Sequence, residues 1–186
     1  MHGIRVMLLA LGLAILASLA LACGNGEPEV PPGAEFGVES SAFAEGEVIP
    51  LRYTCDGDDV SPPISWEAPP PDTRSFALVV HDPDAPMGTW YHWILYNIPA
   101  DVRQLPEDIP SAATVAGVGI QGTNSWGRPG YGGPCPPVSS EHRYFFALYA
   151  LDTELALAAG ADRDGLVEAM TGHILARGQL MGRFSR

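Results

Sequence analysis

Residues 130–137 constrain this chain more than any other segment, because their sequence is Gly-Tyr-Gly-Gly-Pro-Cys-Pro-Pro. Glycine adds backbone entropy and proline lacks a donor N–H, so neither a helix nor a central strand can form here. The segment therefore predicts a rigid loop. Residues 144–151, which follow shortly, are apolar and aromatic and have the length of a buried strand.

His142 and Tyr144 lie where this loop meets the strand. A stiff loop that presents polar side chains at the mouth of a buried strand is a common way to build a small pocket. The sequence therefore favours a binding pocket at this junction. The alternative is a tight turn whose aromatic residues are incidental.

A second polar segment follows a second predicted strand. Residues 76–80 are apolar and lead into an Asp-Pro-Asp-Ala-Pro sequence that starts at Asp82. Ten positions later comes His92, inside another strand-like run. Regular alternation along that strand would place His92 on the opposite face from Tyr91 and Trp93.

Together these segments resemble the phosphatidylethanolamine-binding protein family, also called Raf kinase inhibitor-like proteins, and most closely its bacterial and archaeal branch. The resemblance spans residues 38–186 and depends on several motifs in the family's order. These motifs are Tyr-Thr-Cys-Asp-Gly at 53–57, Ser-Pro-Pro-Ile-Ser-Trp at 61–66, Asp-Pro-Asp-Ala-Pro at 82–86, Trp-Tyr-His at 90–92, Tyr-Asn-Ile-Pro at 96–99, the Gly/Pro loop, His-Arg-Tyr at 142–144 and Gly-His at 172–173. Two departures are His81, where an acidic residue is more usual, and Thr-Asn-Ser at 123–125, where an Asn-Asp pair is commoner.

The resemblance implies a mainly β fold: a β-sandwich with a large central antiparallel sheet, a smaller second sheet and a C-terminal α-helix. It also implies a non-catalytic anion pocket that needs neither cofactor nor metal. The residues at the family's ligand-binding positions are Asp82, Asp84, His92, Gly133, Pro134, Cys135, Pro136, His142 and Tyr144. A cis bond between Ala85 and Pro86 is suggested by the same resemblance.

The chemistry of these side chains suits a small phosphorylated or anionic ligand. Imidazole and phenol groups can donate hydrogen bonds to phosphate oxygens, while Asp82 can fix a histidine tautomer or receive an ammonium group. The alternative is that His92 and His142 are core histidines with satisfied hydrogen bonds. A metal site is disfavoured, because prolines hold Asp82 and Asp84 extended and no His-x-x-x-His or Cys-x-x-Cys spacing occurs.

We therefore expect a binding protein rather than an enzyme. The family includes inhibitors of kinases and peptidases, so a module whose pocket rim contacts a protein partner is the alternative. A hydrolase is the third possibility, although no Gly-x-Ser-x-Gly elbow is present. In that case a Cys135 nucleophile paired with His142 is conceivable.

Composition indicates one acidic domain. With 186 residues, 46% of them hydrophobic and 17% charged, the chain can bury one sizeable core. All ten basic residues are arginines, so lysine Schiff-base chemistry is excluded. From Glu27 onward, nine arginines stand against 22 acidic residues, a net charge of −13. Such a surface repels phosphate backbones, and we expect no nucleic-acid partner.

The N-terminus has the pattern of an export signal. Residues 6–22 are uncharged and mostly aliphatic, and small residues precede Cys23 as in a lipoprotein processing site. We expect residues 1–22 to be a lipoprotein signal peptide, with a lipidated Cys23 that holds the protein on the extracytoplasmic side of a membrane. An ordinary cleaved signal is one alternative. An uncleaved anchor is the other, at the short limit for a bilayer span.

The remaining chain divides into a tether and a single domain. Residues 23–37 are polar and Pro-rich, which predicts a flexible tether, and residues 38–186 form the domain. Strands are expected near residues 38–43, 48–53, 75–81, 91–98, 143–151 and 180–184. Apolar residues at helical spacing predict a helix over residues 163–177, with Asp162 as N-cap and Gly178 as the stop.

Cys55 and Cys135 remain as an even pair if Cys23 is lipidated. The family resemblance places both near the pocket, and disulfides persist in exported proteins. We therefore expect a Cys55–Cys135 disulfide. The alternative is two buried free thiols.

Overall fold

The computed structural model describes residues 28–186, so the expected signal peptide and Cys23 lie outside the described residues. In chain order the strands are β1 (Val38–Glu39), β2 (Ile64–Trp66), β3 (Ser75–Asp82), β4 (Trp90–Pro99), β5 (Gln104–Leu105), β6 (Thr114–Val115), β7 (Gly119–Gln121), β8 (Glu141–Leu151) and β9 (Ile174–Ser185). A 3-10 turn at Leu51–Tyr53 and one α-helix, α1 (Arg163–Met170), complete the regular structure of this part of the chain. Neither is long and apolar enough to cross a membrane.

The strands form two antiparallel sheets. The small sheet has the order β1-β2-β5, and the six-stranded sheet has the order β6-β7-β4-β3-β8-β9. The predicted fold class, a β-sandwich with a large sheet, a smaller sheet and one C-terminal helix, is confirmed. The order also places β3 between β4 and β8, so the ends of these three strands lie side by side.

The large sheet is buried on both faces. On one face, Phe76 packs against Trp66 of the small sheet, with ring centroids 5.2 Å apart. On the other face, Val79 lies in the same apolar cluster as Leu166 and Met170 of α1. Burial on both faces explains why β3 is a continuous apolar run instead of an alternating one.

The helix begins where the sequence predicts but ends earlier. The side chain of Asp162 accepts a hydrogen bond from the N–H of Gly165 and caps α1, as expected. The helix stops at Met170, and Gly172 then adopts a φ of +81°. The predicted helix end at residue 177 is therefore wrong.

Strand β9 takes the residues that would have continued the helix. Alternate side chains from Ile174 to Phe184 are buried, and the strand pairs with β8 along its length. This pairing outweighs the weak helical spacing of a short segment. Gly178 lies inside the strand instead of ending a helix. Glycine is required there because a Cβ would come within 2.5 Å of Val38.

Two predicted N-terminal strands are short or absent. Only Val38–Glu39 of the first pairs with β2. The Ser40 hydroxyl then accepts a hydrogen bond from the N–H of Ala42 and turns the chain. The second predicted strand is replaced by the turn at Leu51–Tyr53, since Pro50 has no N–H to donate to a ladder.

Part of the segment expected to be a tether packs on the domain. The N–H of Arg177 donates to the carbonyl of Ala34, and the N–H of Phe36 donates to the carbonyl of Arg177. This short parallel bridge covers part of the outer edge of β9. Phe36 also packs against Phe76, with ring centroids 6.4 Å apart.

Candidate functional site

The ends of three neighbouring strands bring three polar side chains together. Asp82 ends β3, His92 lies near the start of β4, and His142 lies near the start of β8. All three are buried, with 4%, 2% and 6% of their surface exposed, respectively. Buried titratable groups need specific partners, so their contacts define what the site can do.

A β-bulge turns His92 toward this cluster. Val80 pairs with Trp93, whereas the next residue of β3 pairs with Tyr91, so His92 is the extra residue of the bulge. His92 packs against Tyr144, and Tyr144 belongs to the same core cluster as Trp93. Tyr91 instead packs on the helix side of the sheet. The predicted opposition of His92 and Tyr91 is confirmed. The predicted opposition of His92 and Trp93 is wrong.

Both carboxylate oxygens of Asp82 are engaged. Oδ1 accepts the backbone N–H of Asp84 at 2.8 Å, and Oδ2 lies 2.7 Å from Nδ1 of His142. A carboxylate can only accept, so Nδ1 of His142 carries the proton and Nε2 is left for a ligand. Of the two roles open to Asp82, fixing a histidine tautomer is the one that this geometry supports.

The loop after Asp82 turns without a cis peptide bond. The Ala85–Pro86 bond is trans, so the expected cis bond is wrong. The side chain of Asp82 holds the first part of the turn through Asp84. The N–H of Gly88 donates to the carbonyl of Ala85, and Gly88 has a φ of +102°. These two local turns reverse the chain with the Ala85–Pro86 bond in trans.

His92 is held in a similar way by a backbone acceptor. Its Nδ1 lies 2.6 Å from the carbonyl oxygen of Gly132, so this nitrogen also carries a proton. The ring packs edge-on against Trp126 and Tyr144, with centroids 5.0 and 5.2 Å apart. Burial lowers the pKa of His92. In the neutral ring Nε2 is an acceptor, and it donates to an anion only when the ring is protonated.

The Gly/Pro loop is an extended wall of the site, as its sequence predicts. The N–H of Gly132 donates to the carbonyl of His92, and the N–H of Gly133 donates to Oδ1 of Asp59 at 2.6 Å. These two amides therefore already have partners within the protein. A Cβ at Gly132 would come within 2.6 Å of the Trp126 ring, which explains the need for glycine at this position.

A disulfide fixes the same loop, and the predicted pairing of Cys55 and Cys135 is confirmed. The two sulfur atoms are 2.07 Å apart. Next to it, the N–H of Cys55 donates to the carbonyl of Pro134, and the hydroxyl of Tyr131 donates to the carbonyl of Tyr53. The bond removes Cys135 as a thiol nucleophile, so the Cys135–His142 hydrolase hypothesis has no reactive thiol in this state.

Tyr144 lies behind the pocket, with none of its surface exposed. Its hydroxyl lies near the carboxylate of Asp82 and the backbone of Cys135, without a hydrogen bond of ordinary geometry to either. Burial, with a further contribution from Asp82, raises the pKa of Tyr144 far above its usual value. The hydroxyl therefore keeps its proton and can act only as a neutral hydrogen-bonding group.

Asp84 points away from the pocket and pairs with Arg143. Two guanidinium nitrogens and the backbone N–H of Arg143 donate to its carboxylate, at 2.7 to 3.0 Å. The side-chain hydrogen bond lowers the pKa of Asp84 to about 2. The pair fixes the loop that follows β3 against β8, which supports the site from outside.

These elements enclose an open pocket of about 490 Å³. Its lining consists of Cys55, Asp59, Asp82, Ala85, Pro86, Met87, Trp90, His92, Trp126, Arg128, Gly132, Gly133, Cys135, Pro136, Pro137, His142 and Arg186. Of the predicted ligand-binding residues, Asp82, His92, Gly133, Cys135, Pro136 and His142 line it. Asp84, Pro134 and Tyr144 do not line it and instead support its walls.

Several lining residues were not found from the sequence. Asp59, Arg128 and Arg186 lie in segments without a strong pattern, and the tryptophans at 90 and 126 were ambiguous between core and pocket wall.

The sequence contained one indication of the wall around Trp126, namely Asn124, which belongs to the Thr-Asn-Ser departure from the family pattern. Its side chain accepts the N–H groups of Trp126 and Arg128 and donates to the carbonyl of Gly130, which organises this wall.

The pocket is lined by charges of both signs. Asp59 and Asp82 are the lining carboxylates, and Arg128 and Arg186 are the lining cations. Arg186 pairs with Asp56 at 3.0 Å. Arg128 forms no ion pair within residues 28–186, and its guanidinium lies 5.9 Å from the centroid of the Trp126 ring.

The lining contains no serine or threonine. Within the described part of the chain, no group of three or more His, Cys, Asp or Glu side chains is arranged to hold a metal ion. A larger hollow of about 760 Å³ lies beside Trp66 and Arg103. It contains no buried titratable group, so we assign the candidate site to the pocket around His92 and His142.

Comparison with known proteins gives consistent matches. A family model described as phosphatidylethanolamine-binding protein matches residues 39–185. A UPF0098 protein of Methanothermobacter thermautotrophicus is 48% identical over 149 residues, which cover 80% of this chain and 98% of that protein. A UPF0098 protein of Aquifex aeolicus is 49% identical over 156 residues, which cover 83% of this chain and 91% of that protein.

Two crystal structures have the same fold. A phosphatidylethanolamine-binding protein homologue from Chlamydia trachomatis aligns with a TM-score of 0.73 and 40% identity, covering 82% of this chain and 99% of that structure. YbcL of Escherichia coli, described as a member of the mammalian family, aligns with a TM-score of 0.74 and 32% identity over the same shares.

Proposed function

Because this chain belongs to the phosphatidylethanolamine-binding protein family, we propose that it is a non-catalytic, lipid-anchored protein whose pocket binds a small phosphorylated or anionic head group. Family membership supports a binding role. The finer parts of the proposal, which are the anionic ligand, the lipid anchor and the extracytoplasmic location, depend on the pocket chemistry and on the N-terminal sequence.

The observation that carries the proposal is the pair of buried histidines at the pocket wall. In both His92 and His142, Nδ1 donates a hydrogen bond to an acceptor of the protein. Each ring is thereby oriented, and its Nε2 remains for a ligand. Core histidines with no function would need no pocket beside them. Two oriented imidazoles in a 490 Å³ pocket are instead typical of a site for a small polar ligand.

An anion has few donors in this pocket. The amides of Gly132 and Gly133 have internal partners and Arg186 pairs with Asp56, so the charged donors without a protein partner are protonated Nε2 atoms and the Arg128 guanidinium. Two carboxylates and an acidic surface oppose an anion. Binding is therefore weak at neutral pH and strengthens on acidification, because burial lowers the pKa of His92 and its Nε2 donates only when the ring is protonated. A ligand that brings its own ammonium group offsets part of the negative field.

Absence of catalysis is part of the same proposal. The pocket presents no hydroxyl nucleophile, and Cys135 is held in the disulfide. Orientation of an imidazole by a carboxylate also occurs in hydrolases, but here no nucleophile accompanies the pair. The Asp82–His142 pair is suited to hold a ligand in place.

Two features support the extracytoplasmic part of the proposal. An uncharged aliphatic segment at residues 6–22, directly before Cys23, has the order of a lipoprotein signal and its modified cysteine. The Cys55–Cys135 bond suits an exported protein, because disulfides persist outside the reducing cytosol.

The test is titration calorimetry with phosphoethanolamine on the full chain at pH 6. His92→Ala and His142→Ala each remove one charge-assisted hydrogen bond, so affinity should fall about 10-fold or more for each variant, equivalent to roughly 1.5–3 kcal/mol. The matched control is His173→Ala, since His173 also pairs with a carboxylate, Asp152 at 2.8 Å, but lies on the surface.

The control variant should bind as tightly as the wild type. Thermal unfolding of all three variants should remain cooperative, which separates loss of binding from loss of fold. Unchanged affinity in folded His92→Ala and His142→Ala variants would show that these are ordinary core histidines.

A further inference from the structure

Exposed apolar side chains surround the mouth of the pocket. Within the described residues, Met87 is 94% exposed, Val138 is 75% exposed and Trp126 is 42% exposed. Met87 and Trp126 line the pocket, and Val138 directly follows the lining residue Pro137. Three separate loops thus present large apolar groups around one opening. Exposed apolar groups that cluster around one opening mark a surface that contacts another apolar phase.

A cation accompanies these groups. Arg128 lies beside Trp126 and has no ion-pair partner in this part of the chain. An arginine beside a tryptophan at an apolar rim has the arrangement that residues take at a bilayer interface. There the indole lies at head-group level and the guanidinium meets lipid phosphates.

The described chain begins on the helix side of the large sheet, beside the loop that carries Met87. Pro28, the first described residue, shares a groove with Pro83 and Thr89. These two residues lie at the two ends of the loop that carries Met87. Cys23 precedes Pro28 by five residues, which span at most about 18 Å when fully extended. A lipid on Cys23 would therefore hold the rim close to the membrane surface.

From these three observations we propose that the pocket mouth docks on the bilayer that holds the lipid anchor. Met87 and Val138 enter the head-group boundary, Trp126 lies in the interface, Arg128 contacts phosphate, and the pocket opens onto lipid head groups. The proposal rests on the proposed function and its lipidated Cys23. The preferred surface is zwitterionic, because residues 27–186 carry a net charge of −13 and are repelled by anionic lipids.

A bilayer fits this rim better than a protein partner does. A stable protein interface buries about 800 Å² on each side and needs a continuous patch. The rim offers three side chains on separate loops, which suit shallow insertion.

The experiment uses the full lipidated chain in phosphatidylcholine vesicles, with an environment-sensitive fluorophore on single introduced cysteines. Met87→Cys and Val138→Cys place the probe at the rim, and their exposure makes both substitutions harmless to folding. Asp101→Cys is the matched control, because it is exposed and follows the far end of β4. The eight residues of β3 separate the two ends by about 26 Å.

We expect a blue shift and quenching by bromine-labelled lipid at positions 87 and 138, and neither at position 101. Adding anionic phosphatidylglycerol to the vesicles should reduce both signals. The docking proposal would be overturned if the rim probes showed neither a blue shift nor quenching, or if all three positions gave equal signals.

Calorimetry with soluble phosphoethanolamine separates this proposal from the proposed function. If soluble ligand binds while the rim probes stay silent, docking is wrong and the binding function stands. If soluble ligand fails to bind and the probes are silent, both are wrong.

Discussion

His142 and Asp82 lie 60 residues apart in the chain and form a buried pair, with 2.7 Å between Nδ1 and Oδ2. The same two residue types form an exposed pair elsewhere, His173 and Asp152, at 2.8 Å. The chain therefore contains its own comparison between a carboxylate–imidazole contact that shapes a pocket and one that lies in solvent.

Asp82→Ala should destabilise the protein by about 2–3 kcal/mol, because it leaves the buried Nδ1–H of His142 without an acceptor. Asp152→Ala should cost less than about 1 kcal/mol, because its pair is exposed and screened. Urea unfolding of the two variants measures the difference. Equal losses would show that burial of the first pair contributes nothing.

Loss of the disulfide should lower stability strongly. Cys55 and Cys135 are separated by 80 residues, so replacing both with serine should cost about 4 kcal/mol in the chain-entropy model. Oxidised wild type, reduced wild type and the double variant can be compared by denaturant unfolding. An oxidised protein that unfolds at the same denaturant concentration as the reduced one would argue against a stabilising bond.

Stability should fall in mildly acidic solution because of His92. Burial lowers the pKa of His92 in the folded state. Below about pH 6.5 the unfolded chain therefore binds a proton at this histidine that the folded protein does not yet bind. Stability is therefore fully present above about pH 6.5 and decreases as pH drops below it. His92→Gln should flatten this dependence, whereas His173→Ala should preserve it. Parallel profiles for wild type and His92→Gln would refute the assignment.

Cys23 should carry lipid. The expressed full chain should partition into detergent and show a mass that fits acylated Cys23, and Cys23→Ser should be released or mis-processed. Phase partitioning with intact-mass analysis tests this directly. A soluble mature chain that begins at another residue would rule out the lipid anchor, and with it the membrane docking of the rim.

The fold class could be predicted because the family resemblance implies it, and several local elements could be predicted because their own sequence signals are strong. The loop at residues 130–137 has a composition that allows little else, and Asp162 caps α1 as its position indicates. The helix end could not be found, because residues 174–177 fit both a helical face and a strand. Pairing of β9 with β8 decides between the two, and that contact is not visible in the segment itself.

The site was predicted in part, through the same family resemblance. Asp82, His92 and His142 could be identified because family motifs carry them. Asp59 and Arg128 carry no motif, and they reach the pocket only through the hydrogen bonds of Gly133 and Asn124. The orientation of His92 depends on a β-bulge, which shifts register by one residue and cannot be derived from alternation.

The most direct test of the central claim is a long-range proton–nitrogen NMR spectrum of histidine-labelled protein, with and without phosphoethanolamine. We predict protonated Nδ1 atoms at His92 and His142 in the free protein, and a shift of both Nε2 signals toward the protonated state as ligand is added at pH 6. The signals of His173 should not move. Saturating ligand that leaves the Nε2 signals of His92 and His142 unchanged would contradict the assignment of this pocket as the head-group site.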